Sequence, residues 1–202
     1  MRVKLKPMRG TIIFLLALCA SGFAQASPPA PPFPAAQKSA HASQNDLDAL
    51  FGALAHTRSP EDAKPIEEQI LAHFVASGSP SVDLLMTRAA AALAGNDKPD
   101  ARKLLDAVTS VAPDYPEGWH QRGRMQAEAG DDEGAIISLN KTVTLNPRQF
   151  EAFADLGGVL LQDGDKKDAL RILRKAVALD PHLDNLDHEI EKLSRDVEGE
   201  KI

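Results

Sequence analysis

The feature that most constrains this chain is a period of 34 residues in its second half. Pro113, Pro147 and Pro181 follow one another at this spacing, and five other columns keep the same spacing with residues of similar type. These columns are Ala101, Ala135 and Ala169; Leu105, Leu139 and Leu173; Val111, Leu145 and Leu179; Leu85, Trp119 and Phe153; and Ala89, Gly123 and Gly157. Such a period indicates one supersecondary unit repeated along the chain, because each copy buries its apolar face against the next.

Each copy is predicted to be a pair of antiparallel helices. In the copy at 150–183, apolar residues at helical spacing predict a first helix over 152–162 and a second helix over 167–179. Between them, Gly164 favours a helix end and Asp165 is suited to cap the helix that follows. A proline after the second helix prevents its continuation, because proline lacks the amide hydrogen. The sequence therefore predicts an all-α fold built from helical hairpins.

These units resemble the tetratricopeptide repeat (TPR). The middle unit places the large aromatic, the small helix-contact residue, the turn glycine, the signature alanine and the final proline as the family does, at Trp119, Gly123, Gly130, Ala135 and Pro147. The last unit matches at Phe153, Gly157, Gly164, Ala169 and Pro181. The first unit departs from the pattern, with Asn96 in place of the turn glycine and Arg88 at a usually apolar position.

The resemblance implies a right-handed α-solenoid of three units, 82–115, 116–149 and 150–183. Upstream, 44–81 contains two amphipathic stripes, the first formed by Leu47, Leu50, Phe51 and Leu54. This segment is interpreted as a helical hairpin, either a degenerate repeat or a cap on the stack. Downstream, 184–202 predicts one amphipathic helix that shields the last apolar face of the solenoid.

The N-terminus predicts export from the cytoplasm. A basic start, an apolar run and Ala24-Gln25-Ala26 form the three parts of a secretory signal over 1–26. Two alternatives are an uncleaved anchor and a lipoprotein at Cys19, although Leu18 does not suit lipidation. Residues 27–43 contain five prolines and no acidic residue, which predicts a disordered linker. The expected location is periplasmic or secreted.

Charge and composition argue against several function classes. Four of the 23 basic residues precede residue 27 and none of the 29 acidic residues does, so 27–202 carry 19 basic and 29 acidic residues and a net charge of −10. Such a body repels nucleic acid. Cys19 is the single cysteine, and the six histidines include no i, i+4 pair, so the sequence predicts neither a metal site nor a cofactor site. An acidic turn at 163–168 is interpreted as a capped turn rather than a calcium loop.

The sequence therefore predicts a non-enzymatic scaffold that binds a peptide or protein partner in the cell envelope. By resemblance to the family, the ligand-facing side chains lie one turn from the buried large residue of each first helix. They are Met86, Ala90, His120, Arg124, Ala127, Ala154 and Leu161. This mildly apolar strip, with one cation and one imidazole, suits a peptide with an apolar anchor and a carboxylate.

Alternatives remain open for the residues and for the whole chain. Taken alone, Arg124 is more typical of a solvated surface residue, and His120 of a boundary residue than of a pH switch. The Lys, Asn and Arg cluster with which chaperone-binding family members clamp a terminal carboxylate is not reproduced here. A self-associating module that forms a homodimer is the second hypothesis for the chain, and an unrecognised hydrolase is a remote third.

Overall fold

The computed structural model describes residues 46–183 and 186–199, and these residues form helices joined by short turns. Within this part of the chain, α1 covers 46–54. The other helices are α2 (Pro60–Val75), α3 (Pro80–Ala94), α4 (Lys98–Val111), α5 (Pro116–Glu128), α6 (Asp132–Leu145), α7 (Phe150–Asp163), α8 (Lys166–Leu179) and α9 (Leu186–Glu198). The predicted all-α fold is confirmed, and the predicted bounds of α7 and α8 differ from the observed ones by at most two residues.

The turns inside the three hairpins repeat as closely as the helices do. An aspartate caps the second helix of each unit, and its side chain accepts a hydrogen bond from the backbone amide three residues later; these caps are Asp97, Asp131 and Asp165. The preceding residue has a positive φ in every unit, 56° at Asn96, 74° at Gly130 and 92° at Gly164. Asparagine tolerates this left-handed conformation better than most residues with a side chain, which explains why it replaces glycine in the first unit.

The hairpins α3–α4, α5–α6 and α7–α8 stack in sequence order, and each hairpin packs against the next. The alanine column at 101, 135 and 169 is fully buried in all three. The glycines of the first helices allow close approach, since a methyl group on Gly157 would lie only 2.3 Å from Leu173 Cδ2. The equivalent methyl group on Gly123 would lie 2.7 Å from Leu139 Cγ. The columns of Ala101, Leu105 and Gly123 therefore supply buried contacts within the hairpins.

The middle unit replaces part of this apolar packing with a chain of hydrogen bonds. Arg122 Nε donates to Asp106 Oδ1 at 2.7 Å, and its Nη1 donates to Ser138 Oγ at 3.0 Å. Ser138 in turn donates to Gln126 Oε1 at 2.6 Å, and Gln126 Nε2 donates to Asp131 Oδ2 at 3.2 Å. Two polar residues of α5, Arg122 and Gln126, thus belong to one connected hydrogen-bond network.

The hairpin of α1 and α2 lies across the junctions between units instead of capping the first unit. Ring centroids of Phe51 and Phe150 are 6.3 Å apart, in an edge-to-face contact at the start of α7. Thr57 Oγ1 lies 2.7 Å from His182 Nε2, after α8, while Tyr115 at the first junction donates its hydroxyl to the Val75 carbonyl at 2.6 Å. Helix α2 therefore runs from the third unit back to the first.

From the sequence, the segment 44–81 is interpreted as a helical hairpin, either a degenerate repeat or a cap. Its described helices contact the third unit and the first junction, and residue 67 gives a physical reason why they do not stack as a further repeat. Glu67 occupies the column that is a fully buried alanine in the three repeats. A carboxylate there would lose its hydration inside the stack, which is unfavourable. The hairpin instead buries Leu54, Ala63 and Ile70 against Phe150.

Helix α9 packs its apolar stripe on α8. Leu193 is buried with Leu170 and Leu173, and ion pairs from α8 to Asp196 and Glu198 lie at the rim. Over 46–183 and 186–199, no helix is long and apolar enough to cross a membrane. The predicted signal (1–26) and linker (27–43) lie outside the described residues.

Candidate functional site

The first helices of the three units, α3, α5 and α7, present the same stripe of four columns. From the N-terminal end of each helix these columns are Asp83, Glu117 and Glu151; Met86, His120 and Ala154; Thr87, Gln121 and Asp155; and Ala90, Arg124 and Gly158. Residues of these columns line two separate cavities. The stripe thus begins with an acid in every unit.

The larger cavity has a volume of about 630 Å³ and is mainly apolar; we call it the α2–α3–α5 groove. Its walls come from four helices and the segment that follows α2. The lining residues are Ala72, Val75, Ala76, Asp83, Met86, Thr87, Ala89, Ala90, Leu93, Leu105, Glu117 and Gln121. Because α2 runs across the junctions, its C-terminal end forms a wall that the repeats alone would not supply.

The polar groups of the groove lie towards the N-terminal ends of α3 and α5. Asp83 is exposed and accepts hydrogen bonds from the hydroxyl and the amide of Ser77. Glu117 is almost fully buried, and its Oε1 accepts from Gln121 Nε2 at 2.6 Å. Burial raises the pKa of the Tyr115 hydroxyl, and the carboxylates of Glu117 and Asp83 raise it further. Two carboxylates, those of Asp83 and Glu117, thus lie at this end of the groove.

The smaller cavity, of about 290 Å³, lies between the C-terminal half of α5 and α7. It is lined by Arg124, Ala127, Glu128, Leu139, Ala154, Asp155, Gly158, Val159 and Gln162. Arg124 Nε lies 3.8 Å from Asp155 Oδ2, and both side chains remain partly exposed. The cation predicted for the binding strip is thus paired with a carboxylate and lies outside the larger groove.

A buried polar network separates the two cavities. His120 is fully buried, with Nε2 2.8 Å from Asp155 Oδ2 and Nδ1 3.3 Å from Glu117 Oε2. Gln149 Nε2 donates to the same Glu117 oxygen at 2.6 Å. Burial alone would lower the pKa of His120, but the hydrogen bonds to Asp155 and Glu117 outweigh it and raise the pKa to about 9. The imidazole is therefore a cation held between two carboxylates at neutral pH.

The same network shifts the carboxylates around it. Burial would raise the pKa of Glu117, but hydrogen bonds and charge from His120, with help from Gln121 and Gln149, lower it below its ordinary value. The pKa of Glu151 is raised, chiefly because the side chain is buried. The charge of His120 lowers this pKa, whereas the carboxylates of Glu117 and Asp155 raise it. The network is thus a structural ion cluster rather than an open reactive site.

The sequence-predicted ligand residues separate into three groups. Met86 and Ala90 line the groove, whereas Arg124, Ala127 and Ala154 line the smaller cavity. The imidazole of His120 does not face the concave surface as expected, because Asp155, Glu117 and Gln149 bury and bind it. Leu161 packs against the cluster under α9 instead of facing the groove.

Sequence reasoning missed three groups of groove residues. The acids at 83 and 117 occur at the 34-residue spacing and were visible as a column. Gln121 belongs to the third column, with Thr87 and Asp155. The third group is the wall from Ala72, Val75 and Ala76, which no local pattern signals, because it depends on where α2 crosses the stack. Across the described ranges, no group of three metal-ligating side chains is assembled.

Comparison with known proteins agrees with the repeat columns. Residues 86–147 match the family model described as Tetratricopeptide repeat. A TPR repeat-containing protein of Rhizobium etli is 26% identical over 155 residues, which cover 77% of this chain and 76% of that protein. Cellulose synthase operon protein C of Escherichia coli K12 is 43% identical over 70 residues, 33% of this chain but only 6% of that protein.

Among solved structures, the TPR2B domain of yeast Sti1 in complex with pHsp70 is similar to this chain, with a TM-score of 0.53 and 20% identity. The match covers 58% of this chain and 99% of that domain, and it supports the assignment of the fold. Taken with the stacked hairpins and their 34-residue columns, these similarities identify residues 86–147 as tetratricopeptide repeat sequence and show that the described residues have a TPR-like fold.

Proposed function

We propose that this protein is a non-enzymatic scaffold that binds a segment of a partner protein in the α2–α3–α5 groove. The observation that carries the proposal is the groove itself, an open cavity of about 630 Å³ whose walls are mostly apolar. Apolar clefts of this size with a few polar groups at one end are typical binding sites. The solved TPR2B domain in complex with pHsp70 has the same fold, which supports a protein ligand here.

The energetic case depends on apolar anchors. Burying one leucine-sized side chain contributes about 1.5–3 kcal/mol. Two or three such anchors contribute about 3–9 kcal/mol, which offsets much of the roughly 4–15 kcal/mol lost when two molecules associate. Small walls at Ala72, Ala76 and Ala90 admit the backbone of a peptide close to α2 and α3.

Filling the groove tests the proposal. Ala90 lines the groove, whereas its neighbour Ala91 is also exposed but does not line it. A peptide selected from a displayed library against the full chain is titrated against Ala90→Trp and Ala91→Trp by fluorescence anisotropy. The expected result is an affinity loss of about tenfold or more for Ala90→Trp alone, with equal helicity and Tm for both variants. Equal affinities for the two variants would contradict binding in the groove.

The proposed place of action is the cell envelope. The basic start, apolar run and Ala24-Gln25-Ala26 of the N-terminus support export and cleavage. The mass of the protein recovered from the periplasmic fraction tests this, since cleavage leaves Ser27 as the first residue. A protein that keeps Met1 in the cytoplasm, or one lipidated at Cys19, would contradict the proposal.

A second candidate function, self-association, is favoured by the exposure of Leu84. The residues of its column face the preceding unit, because Ala152 is fully buried and a methyl group on Gly118 would lie 2.6 Å from Val108 Cγ1. Among the described residues no repeat precedes the unit of Leu84, and this side chain is 53% exposed. If a second copy covers this face, light scattering detects a dimer that Leu84→Lys abolishes. A monomer at every concentration would exclude this candidate.

A further inference from the structure

We infer that the occupant of the α2–α3–α5 groove is an amphipathic segment that carries a basic residue about one helical turn from its apolar anchor. This inference rests on the proposed function and specifies the chemistry of the partner. It differs from the ligand predicted from the sequence, which carried a carboxylate. It is supported by the charged side chains that line the groove and by the groups to which those side chains are hydrogen-bonded or paired.

The acid and the apolar floor lie on one face of α3. Asp83, Met86, Thr87 and Ala90 all line the groove, and their spacing of i, i+3, i+4 and i+7 places them on one stripe. One turn of helix rises about 5.4 Å, so the carboxylate of Asp83 lies roughly one turn from the side chain of Met86. If the apolar anchor of a ligand helix lies over Met86, the residue about one turn further along that helix therefore lies next to Asp83.

Asp83 is the carboxylate whose charge remains available at the groove. Its hydrogen-bond donors are the neutral hydroxyl and amide of Ser77, and no ion pair of the described residues includes it. Glu117 also lines the groove, but the buried imidazole of His120 compensates its charge.

A carboxylate on the ligand would find no cation in this groove. None of the groove-lining residues is basic, and Arg124 lies in the smaller cavity beside Asp155. The net charge of −10 over 27–202 repels an acidic ligand at longer range as well. Charge complementarity therefore selects a partner segment with lysine or arginine next to its apolar side chains.

The test uses synthetic amphipathic peptides of about 15 residues with leucines at i, i+3, i+4 and i+7. One further position, a helical turn away from the leucines, carries lysine, norleucine or glutamate. Each peptide is made with this position at the N-terminal or at the C-terminal end, so that both orientations of the peptide in the groove are covered. Affinities are measured with the full chain and with Asp83→Asn, Asp100→Asn and Ala90→Trp. Asp100 is an exposed acid in the first turn of α4 and serves as the matched control.

The expected order of affinity is lysine above norleucine above glutamate, with about two- to fivefold between neighbours at low salt. Asp83→Asn removes this discrimination and Asp100→Asn keeps it. If Ala90→Trp weakens all peptides but lysine and glutamate bind equally, the inference is overturned and the groove remains a binding site. If Ala90→Trp weakens none of them, the proposed function fails as well. Discrimination that survives Asp83→Asn would also overturn the inference.

Discussion

Two neighbouring glycines of α7 offer a direct test of how the hairpins are held together. A methyl group on Gly157 would lie 2.3 Å from Leu173 Cδ2 and 2.5 Å from Leu173 Cγ, whereas one on Gly158 would have no atom within 4 Å beyond its own helix. Carbon atoms prefer a separation of about 3.5–4.0 Å. Leu173 is only 1% exposed and belongs to the buried cluster under α9, so displacing its side chain disturbs other buried contacts. Gly157→Ala therefore overpacks the α7–α8 contact.

The magnitude follows from a comparison of the two variants. Replacing glycine with alanine inside a helix stabilises by about 1 kcal/mol, and this gain applies to both positions. Overpacking a buried contact costs about 1–3 kcal/mol and applies only to Gly157→Ala. We expect Gly158→Ala to raise the free energy of unfolding by up to about 1 kcal/mol, and Gly157→Ala to lie about 1–3 kcal/mol below it.

The assay is urea denaturation followed by circular dichroism at 222 nm. A double-mutant cycle with Leu173→Ala identifies the contact, because the methyl group that Gly157→Ala adds partly refills the cavity that Leu173→Ala leaves. The loss caused by Leu173→Ala is then smaller in the background of Gly157→Ala than in the parent chain. Equal stabilisation by Gly157→Ala and Gly158→Ala, with additive effects in the cycle, would refute the close packing of α7 on α8.

Three other predictions follow from particular residues. The folded-state pKa of His120, about 9, lies above its unfolded value of 6.5. Protonation of His120 therefore contributes up to about 3 kcal/mol to the free energy of unfolding, fully present below pH 6.5 and lost as the pH rises through 9. Urea melts at several pH values should show this slope, and His120→Gln should remove it. Asn96→Gly should stabilise by about 0.5 kcal/mol because it relieves a φ of 56°, and an unchanged or lower denaturation midpoint would contradict this. Asp97→Ala should lower the free energy of unfolding by about 1 kcal/mol through loss of the cap on the Asp100 amide, whereas a change below the error of the melts would show that this cap is dispensable.

The repeat part of the fold was predictable because its determinants are local and periodic. Proline, glycine and aspartate at fixed offsets set the ends of α7 and α8, and the columns of alanine and leucine set which faces meet. Even the departure at Asn96 is explained by the same rule, since its backbone adopts the turn conformation of Gly130 and Gly164. Short-range stereochemistry was sufficient for these elements.

The position of α1 and α2 was not predictable in this way. Apolar stripes predict which face of a helix is buried, but they do not identify its partner, and Phe51 meets Phe150 almost one hundred residues further along the chain. The groove shares this limit, because its wall at Val75 and Ala76 depends on where α2 crosses the stack.

His120 shows a related limit within the repeats. Counting helical turns from Trp119 placed its imidazole on the inner face, yet the side chain is buried. What permits a buried imidazolium is the pair of carboxylates from Glu117 and Asp155, together with Gln149 from the junction before α7. Such a network depends on three segments meeting, so the periodicity of one helix does not predict it.

The central claim is that a partner segment binds over Met86 in the α2–α3–α5 groove. Methyl NMR of the protein labelled at methionine tests it directly, because Met86 lines the groove and Met125 is buried in the core nearby. Titration with the lysine-bearing leucine peptide should give a saturable shift of the Met86 methyl signal that is much larger than the shift of Met125. Saturable binding that leaves the Met86 signal in place would contradict the account.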